Sequence, residues 1–272
     1  MSRISTCFER LAAGRNKGLV TFISAGDPSP AATPELMHAL VRGGADIIEL
    51  GVPFSDPMAD GPVIQRASER ALAVGTTLDD VFSCVARFRQ TDDATPVVLM
   101  GYLNPFEHVG AAGFGARAKA AGVDGVLVVD LPPEEAPEFN RAVKAAGVDQ
   151  VFLVAPNSSS ERISMICAYA SGFVYFVAVK GVTGDKALDV ELINQRIAET
   201  RQLSSLPVGI GFGIRTAQSA AVAAGSADAI IVGSVLVEIV EQHGNNTSAA
   251  AAALEAFVRT LRGAIDARAN AA

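Results

Sequence analysis

A short motif recurs four times along this chain and constrains its fold more than any other feature. Each copy has a glycine, then an aspartate and then an apolar run rich in valine and isoleucine: GGADIIEL (43–50), AGVDGVLVVD (121–130), AGVDQVFLV (146–154) and AGSADAIIVG (224–233). The glycine is typical of a helix end, where a positive φ is needed. The apolar run is typical of a strand that is buried on both faces of a parallel sheet.

The spacing of the four glycines indicates the length of the repeating unit. Gly44 and Gly122 are 78 residues apart, as are Gly147 and Gly225, and Gly122 and Gly147 are 25 apart. A unit of about 25 residues, one strand plus one helix, fits all three separations. Four more apolar runs fill the gaps: GLVTFI (18–23), PVVLMGY (96–102), FVYFVAV (173–179) and PVGIGF (207–212).

Eight strands alternating with helical patterns predict a closed (β/α)8 barrel with extra helices. The 272 residues are half apolar and show no linker or break in composition, so we expect a single domain over residues 1–272. The alanine-rich segment 248–268 is predicted to form the last outer helix. Because sites in this fold form at the carboxyl ends of the strands, the residues that follow each apolar run are the candidates for function.

Charge and composition exclude several classes of protein. The formal net charge is −7 and no basic run occurs, which argues against a nucleic-acid partner. The apolar runs are strand-sized, shorter than the roughly 18 residues of a membrane helix, and the N-terminus lacks a signal-type core. We therefore expect a cytoplasmic protein. Neither the three histidines nor the cysteines (Cys7, Cys84 and Cys167) have the spacing of a metal site, so no metal is expected.

Glycine-rich turns follow two adjacent predicted strands. GFGI (211–214) precedes a helix with Thr216 as its predicted cap, and Gly233-Ser234 opens another helix. Glycine backbones and helix N-termini bind phosphate, and the loops after strands 7 and 8 commonly do so in this fold. The alternative is that both are ordinary tight turns. GVTG (181–184), after strand 6, could close over the same phosphate as a lid.

Glu49 is a carboxylate inside an apolar strand. The alternation of Ile47, Glu49 and Gly51 places side chains of this series in or near the barrel mouth. Burial there raises the pKa of a carboxyl from about 4.3, which makes Glu49 a candidate proton donor and acceptor near neutral pH. The alternative is a structural ion pair.

Four further candidates each have a structural alternative. Asp56 and Asp60 lie on the loop after strand 2, where acids are often solvated, and Asp60 could instead cap the helix that follows. Tyr175 could be a site residue or an ordinary core tyrosine. Lys180, just after strand 6, could form a Schiff base with a carbonyl substrate or be a solvated residue.

The stretch ELGVPFSDPMADGPVIQRA (49–67) resembles the signature of the tryptophan synthase alpha subunit family, E-L-G-x-P-x-S-D-P-x-A-D-G-P-x-I-Q. Shorter matches occur in order along the chain: FISAGDP (22–28), MGYLNP (100–105), DGVLVVDLPPEEA (124–136), GVTG (181–184) and GFGI (211–214). The resemblance extends over residues 3–265.

The resemblance implies a lyase that cleaves indole-3-glycerol phosphate to indole and glyceraldehyde 3-phosphate without metal or organic cofactor. It implies that Glu49 is the general acid–base residue that protonates C3 of the indole. Asp60 would bind and help deprotonate the indole N–H, and Tyr175 would lie beside Glu49 and the ring. Thr183 would bring the lid onto Asp60.

The resemblance also implies the remaining site residues and a partner. Phosphate would be held by Gly184, Gly213, Gly233 and Ser234. The indole pocket would be lined by Phe22, Ile64, Met100, Tyr102, Leu127, Val129, Leu153 and Phe212. A beta subunit carrying pyridoxal phosphate would complete an α2β2 complex through a surface that includes Pro53, Asp56, Pro57, Asn104, Asp130 and Pro132.

Two positions depart from the family pattern. Ala178 stands where many members have serine, and Val235 stands where alanine is usual. Both positions belong to the lid or the phosphate wall, so we expect them to affect lid closure and substrate affinity but not the reaction class. Two other functions stay open on the sequence alone. One is a lysine-dependent aldolase that uses Lys180, and the other is a non-catalytic subunit that activates a partner.

Overall fold

The computed structural model describes residues 2–177, 190–211 and 213–270. Eight parallel strands form a closed barrel in chain order, with β8 pairing back onto β1. The predicted (β/α)8 barrel is therefore confirmed. The strands are β1 (Gly18–Ser24), β2 (Ile47–Gly51), β3 (Val97–Gly101), β4 (Gly125–Val128), β5 (Asp149–Val154), β6 (Val174–Val177), β7 (Val208–Gly211) and β8 (Ala229–Val232).

Helices surround this barrel. They are α1 (Arg3–Ala13), α2 (Thr33–Gly43), α3 (Pro62–Ala73), α4 (Leu78–Phe88), α5 (Leu103–Glu107), α6 (Ala111–Ala121), α7 (Pro137–Ala145), α8 (Ser160–Tyr169), α9 (Val190–Leu203), α10 (Ala217–Ala224), α11 (Ser234–His243) and α12 (Thr247–Asn270). The predicted last helix is confirmed as α12, and Thr216 caps α10 as predicted, together with Ser219. Within the described ranges, no helix is both long and apolar enough to cross a membrane.

Side chains alternate between two apolar layers along each strand. Those that point inward fill the barrel: Val20, Ile47, Val98, Leu127, Val151, Phe173, Ala229 and Ile231. Those that point outward, such as Leu19, Ile48 and Leu99, pack under the helices. Burial of each large aliphatic side chain contributes about 1.5–3 kcal/mol, so this alternation sets which face of every strand is inside.

Helix α1 closes the amino end of the barrel, a role that its sequence alone did not reveal. Four residues of α1 pack against the inner layer: Ile4, Cys7, Phe8 and Leu11.

The three cysteines are free thiols. Cys7 and Cys84 are buried, and Cys167 is partly buried.

Three of the four repeat glycines have the expected positive φ. The values are 104° for Gly44, 88° for Gly122 and 76° for Gly147. Gly225 is different, with φ of −68°, so the prediction is wrong there: α10 ends in the right-handed region. The motif therefore marks a helix end at all four places, but its glycine has a left-handed backbone conformation at only three of them.

The repeat aspartates bind the backbone of neighbouring strands at the amino end. Asp46 accepts a hydrogen bond from the N–H of Leu19 at 3.0 Å. Asp124 accepts one from Val97 at 2.9 Å. Asp228 accepts one from Val208, also at 2.9 Å. We call Asp46, Asp124 and Asp228 the amino-end aspartates.

Arginines neutralise each of these carboxylates. Asp46 pairs with Arg10 and Arg262, Asp124 with Arg3 and Arg89, and Asp228 with Arg201. The polar residue of the repeat therefore ties strand starts to one another and to the outer helices. Asp149, the fourth repeat aspartate, differs: its buried Oδ2 has no hydrogen-bond partner among the described residues.

Candidate active site

Glu49 lies inside the barrel near its carboxyl end. It is in register with Phe22 of β1 and Val98 of β3 and points to the same side as Ile47. The residue is 1% exposed, and its Oε1 has no hydrogen-bond partner in the part of the chain that the structure describes. Burial, and then the charge of Asp60, raise the pKa of Glu49 to about 8. These observations favour a proton carrier over a structural ion pair.

Asp60 lies on the loop between β2 and α3, which we call the β2 loop (52–61). The loop folds on itself, since the Asp60 N–H donates to the carbonyl of Pro57 at 3.0 Å and Gln65 Nε2 donates to the Asp60 carbonyl at 2.9 Å. Asp60 Oδ2 accepts a hydrogen bond from the Tyr102 hydroxyl at 3.2 Å. Helix α3 is capped by Gly61 rather than by Asp60, so the capping alternative for this aspartate is wrong.

The environment of Asp60 is more polar than that of Glu49. Burial raises the pKa of Asp60, and the hydrogen bond from Tyr102 lowers it in part. Asp60 is only half-buried, whereas Glu49 is fully enclosed. The two neighbouring acids therefore lie in different environments, which is how one fold can give two carboxyl groups different roles.

Tyr175 faces the same interior. It lies on β6 in register with Leu153 of β5 and Gly209 of β7, and it packs against the inner layer. Its hydroxyl occupies the space beside Gly211 that a Cβ at that position would fill. Burial, followed by the charges of Glu49 and Asp60, raises the pKa of Tyr175 well above its usual range. Tyr175 therefore belongs to the electrostatic environment of the two acids.

A narrow cleft lies beside Asp60. Its lining comes from the ends of β1 to β4 and from α3: Phe22, Ser24, Gly51, Val52, Asp60, Ile64, Ser68, Met100, Gly101, Tyr102 and Val129. One wall is apolar, because Phe22, Ile64 and Met100 pack together. Glycine at position 51 leaves room for the Phe22 ring, because a Cβ there would lie only 2.6 Å from Cζ of Phe22. An apolar cleft with a carboxylate at its edge suits an aromatic ring that carries a donor.

The first turn of α11 provides hydrogen-bond donors near this cleft. Gly233 precedes the helix, and the N–H groups of Leu236 and Val237 donate to its carbonyl. The N–H groups of Ser234 and Val235 come earlier in the turn than these intrahelical bonds and are available to an anion. A Cβ on Gly233 would lie 3.5 Å from Phe22, so these donors border the apolar wall.

Both the amino-acid sequence and the fold of this chain are similar to those of known proteins. The family model described as tryptophan synthase alpha chain matches residues 8–266. The tryptophan synthase alpha chain of Burkholderia pseudomallei (strain 1106a) is 57% identical over 272 residues, which is all of both chains. The chain belongs to the tryptophan synthase alpha chain family. It is thus a lyase that cleaves indole-3-glycerol phosphate to indole and glyceraldehyde 3-phosphate in tryptophan biosynthesis.

Solved structures show the same relationship to the tryptophan synthase alpha chain family. The tryptophan synthase alpha subunit of Legionella pneumophila str. Paris superposes with a TM-score of 0.91 at 43% identity, covering 98% of this chain and 99% of that one. A chain of the tryptophan synthase α2β2 complex from the hyperthermophile Pyrococcus furiosus has a TM-score of 0.83 at 38% identity, covering 91% and 98%.

The structure brings many of the residues expected from the tryptophan synthase alpha family to one end of the barrel. Five of the expected pocket residues line the cleft: Phe22, Ile64, Met100, Tyr102 and Val129. Leu127 is fully buried in the inner layer, and Leu153 packs against that layer. Gly213 is exposed, with φ of 40°. Thr183, Gly184 and Phe212, like Ala178, Lys180 and the GVTG segment (181–184), lie outside the described residues.

The expected partner surface lies on the loops after β2, β3 and β4. The residues Pro53, Asp56, Pro57, Asn104, Asp130 and Pro132 all lie at the end of the barrel where the strands finish, with Asn104 in the short helix α5 and Pro53 buried. Asp56 accepts a hydrogen bond from the Ser55 hydroxyl at 2.6 Å, which is consistent with a role within the loop. Asp130 accepts one from the N–H of Leu103 at 2.8 Å.

Sequence reasoning missed two sets of polar residues around the site. Ser24 and Ser68 line the cleft and are nearly buried, but isolated serines in a strand or helix carry no signal. Arg70 pairs with the buried Asp27 at 2.7 Å and with Glu241 at 2.7 Å, joining α3 to the loop after β1 and to α11. Asp27 stands in the FISAGDP match, but its partner is 43 residues away. No group of acids, histidines and cysteines suited to a metal ion occurs among the described residues.

Proposed function

We propose that Glu49 and Asp60 carry out the cleavage of indole-3-glycerol phosphate as a general acid–base residue and an electrostatic partner, with Tyr175 beside them. The observation that carries this proposal is the buried Glu49 carboxyl, whose Oε1 has no hydrogen-bond partner among the described residues and whose charged neighbour is a second acid. An acid in that setting holds its proton at neutral pH and can deliver it to a substrate.

The reaction needs a proton at the carbon where the bond breaks. In the proposed sequence, Glu49 protonates C3 of the indole, and the ring becomes a cation that has lost its aromaticity. The Glu49 carboxylate then removes the proton from the hydroxyl on C1′. The C3–C1′ bond breaks, its electron pair returns to the ring to restore indole, and C1′ becomes the aldehyde of glyceraldehyde 3-phosphate. Glu49 ends the cycle protonated, as it began.

Asp60 stabilises the cation formed in the first step. Its carboxylate, at the edge of the cleft, would accept the indole N–H and oppose the positive charge that spreads to the ring nitrogen. This role requires the ionised form, and the hydrogen bond from Tyr102 favours that form. The contrast between an enclosed Glu49 and a half-buried Asp60 supplies the two protonation states that the chemistry needs.

The substrate would lie with its ring against the apolar wall and its phosphate at α11. Phe22, Ile64 and Met100 form that wall. Ser234 and Gly233 would hold the phosphate through the first turn of α11, with Gly213 on the adjacent strand end. We also assign Thr183 and Gly184 to the site on the family pattern.

The partner of this chain would be a tryptophan synthase beta subunit in an α2β2 complex. The similarity to a chain of such a complex in Pyrococcus furiosus supports this assignment. The surface would comprise Pro53, Asp56, Pro57, Asn104, Asp130 and Pro132, next to the cleft from which indole leaves. Pyridoxal phosphate would belong to the beta subunit, and the alpha reaction would use no cofactor.

An indole-release assay of the Glu49→Gln variant tests this proposal. Glutamine keeps the shape of the side chain but cannot transfer the proton, so indole release should be abolished while calorimetry still detects substrate binding. The Glu9→Gln variant on the exposed face of α1 is the matched control and should behave as wild type. Normal turnover by Glu49→Gln would contradict the proposal. Trapping of substrate on Lys180 by borohydride would instead indicate a lysine-dependent aldolase.

A further inference from the structure

We infer that Tyr102 is a positioning residue that holds Asp60 in place and connects it to the turn fixed by Asp130. The inference rests on the proposed function, because it gives Tyr102 a role only if Asp60 acts on the substrate. The family resemblance implies only that Tyr102 lines the indole pocket. Its hydrogen bonds indicate a second role.

The Tyr102 hydroxyl contacts two consecutive residues of the β2 loop. It donates to Asp60 Oδ2 at 3.2 Å and accepts from the N–H of Ala59 at 3.0 Å. One hydroxyl therefore orients the Asp60 carboxylate and fixes the backbone just before it. The bond to Asp60 is longer than the usual 2.7–2.8 Å of a hydroxyl–carboxylate pair, and such bonds commonly shorten when substrate binds.

The Tyr102 ring is itself held by the same loop. It is 3% exposed and stacks on Phe54 with 5.3 Å between the ring centroids. Burial raises the pKa of Tyr102 to about 12, so its hydroxyl stays protonated and remains a donor. A Phe at this position keeps the stack and loses only the hydroxyl, which isolates the two hydrogen bonds from the packing.

The backbone beside Tyr102 is fixed by the next loop along the barrel. The N–H of Leu103 donates to Asp130 Oδ1 at 2.8 Å. Tyr102 and Leu103 are adjacent, so the loops after β2, β3 and β4 meet at this pair of residues. Asp130 is exposed at the end of the barrel, where a protein seated on these loops would contact it. A change at Asp130 would therefore reach Asp60 through two hydrogen bonds and one peptide unit.

The effect on catalysis follows from the ionisation of Asp60. A hydrogen bond donated to a carboxylate favours its charged form, so loss of the Tyr102 hydroxyl raises the pKa of Asp60. The acid limb of the pH–rate profile, which reports the ionised Asp60, should then move to higher pH. Turnover should fall because the carboxylate is also less well oriented toward the indole N–H.

The test is the pH dependence of indole release by the Tyr102→Phe variant, with Tyr169→Phe as matched control. The chain has three tyrosines, and Tyr169 lies on α8, away from the cleft. For Tyr102→Phe, we expect kcat to fall about tenfold, KM to change by less than about threefold and the acid limb to shift upward. Asp130→Ala should shift the acid limb in the same direction by a smaller amount, and Tyr169→Phe should match wild type.

Two outcomes would overturn the inference: a wild-type kcat and acid limb for Tyr102→Phe, or a change confined to KM. The latter would leave Tyr102 as a pocket residue only. Asp60→Asn, measured in parallel, separates this inference from the proposed function. If Asp60→Asn loses activity and Tyr102→Phe does not, the inference alone fails. If wild type releases no indole, or Asp60→Asn is fully active, the proposed function fails as well.

Discussion

Buried carboxylates have opposite surroundings at the two ends of the barrel. At the amino end, Asp124 accepts the Val97 N–H and pairs with Arg89 at 2.7 Å and Arg3 at 2.9 Å. At the carboxyl end, the similarly buried Glu49 has an Oε1 with no hydrogen-bond partner among the described residues, and burial and the charge of a second acid, Asp60, raise its pKa. The first arrangement pairs a carboxylate with arginines and holds strands together, and the second favours the protonated form of a carboxyl.

The difference separates carboxylates that stabilise the fold from the carboxyl groups that we propose take part in the chemistry. A paired and hydrogen-bonded carboxylate contributes to folding, whereas an enclosed, unpaired one costs stability whenever it ionises. The active end of a (β/α)8 barrel is the carboxyl end, so the costly arrangement lies where we propose that the reaction occurs. Substitutions at the two ends should therefore affect different properties.

The largest effect is expected for Asp124→Ala at the amino end. Removing this carboxylate leaves the Val97 N–H without its acceptor and takes from Arg89 its closest carboxylate, although Arg89 keeps its hydrogen bonds to backbone carbonyls. The free energy of unfolding should fall by about 3–4 kcal/mol. Turnover per folded molecule should stay at the wild-type value. Urea denaturation together with indole release measures both quantities. Asp93→Ala, an exposed neighbour, is the control and should change stability by less than about 0.5 kcal/mol.

The next effect concerns Asp60→Asn at the carboxyl end. The amide cannot oppose the charge on the indole ring, so kcat should fall by about 10²–10³-fold. The free energy of unfolding should change little, because the side chain of the half-buried Asp60 accepts only the hydrogen bond from Tyr102 among those described. A stability loss as large as that of Asp124→Ala, with activity kept, would contradict the contrast between the two ends.

The third effect is a dependence of stability on pH that Glu49 causes. Its pKa is raised from 4.5 to about 8, so the folded state binds this proton more tightly than the unfolded chain does. The free energy of unfolding therefore falls as the pH rises through this window, by on the order of 3 kcal/mol between pH 5 and pH 8.5. In Glu49→Gln this contribution should be absent, and urea midpoints of the two proteins at both pH values measure it. Parallel curves for wild type and variant would show that Glu49 is not the group responsible.

The smallest effect separates two glycines of the repeat. Gly44 has φ of 104°, and a Cβ there would lie 2.8 Å from Arg262, so Gly44→Ala should cost about 1–2 kcal/mol. Gly225 has φ of −68°, and its Cβ would meet only ordinary contacts. Gly225→Ala should be neutral or stabilising by a few tenths of a kcal/mol, which thermal unfolding measures. Equal losses at both positions would contradict the structural difference between them.

The barrel could be predicted because its signal is local and repeated. Each unit shows its strand and its helix end within a few residues, and the alternation around Ile47 also predicted an inward Glu49. The partners of the amino-end aspartates could not be predicted, because Arg262 is 216 residues from Asp46 and nothing local marks the pair. The role of helix α1 was missed for a related reason. The helix is amphipathic, but the surface that its apolar face covers exists only once the barrel has closed.

The two acids of the candidate site could be predicted from the sequence, but the residues that hold them in place could not. Glu49 stood out because a carboxylate in an apolar strand breaks the local pattern. Asp60 depended on the family signature, since the loop alone favoured a helix cap equally well. The hydrogen bond that holds it comes from Tyr102, 42 residues further along, and depends on how two loops meet in space.

The most direct test of the account is the protonation state of Glu49 itself. Infrared difference spectra between wild type and Glu49→Gln, recorded across pH 5 to 10, isolate the carboxyl stretch of this one residue. We predict a protonated carboxyl band at pH 7 that is lost as the pH rises through about 8. A carboxylate band already complete at pH 6, with titration near the usual pKa of 4.5, would contradict the claim that burial keeps Glu49 protonated for catalysis.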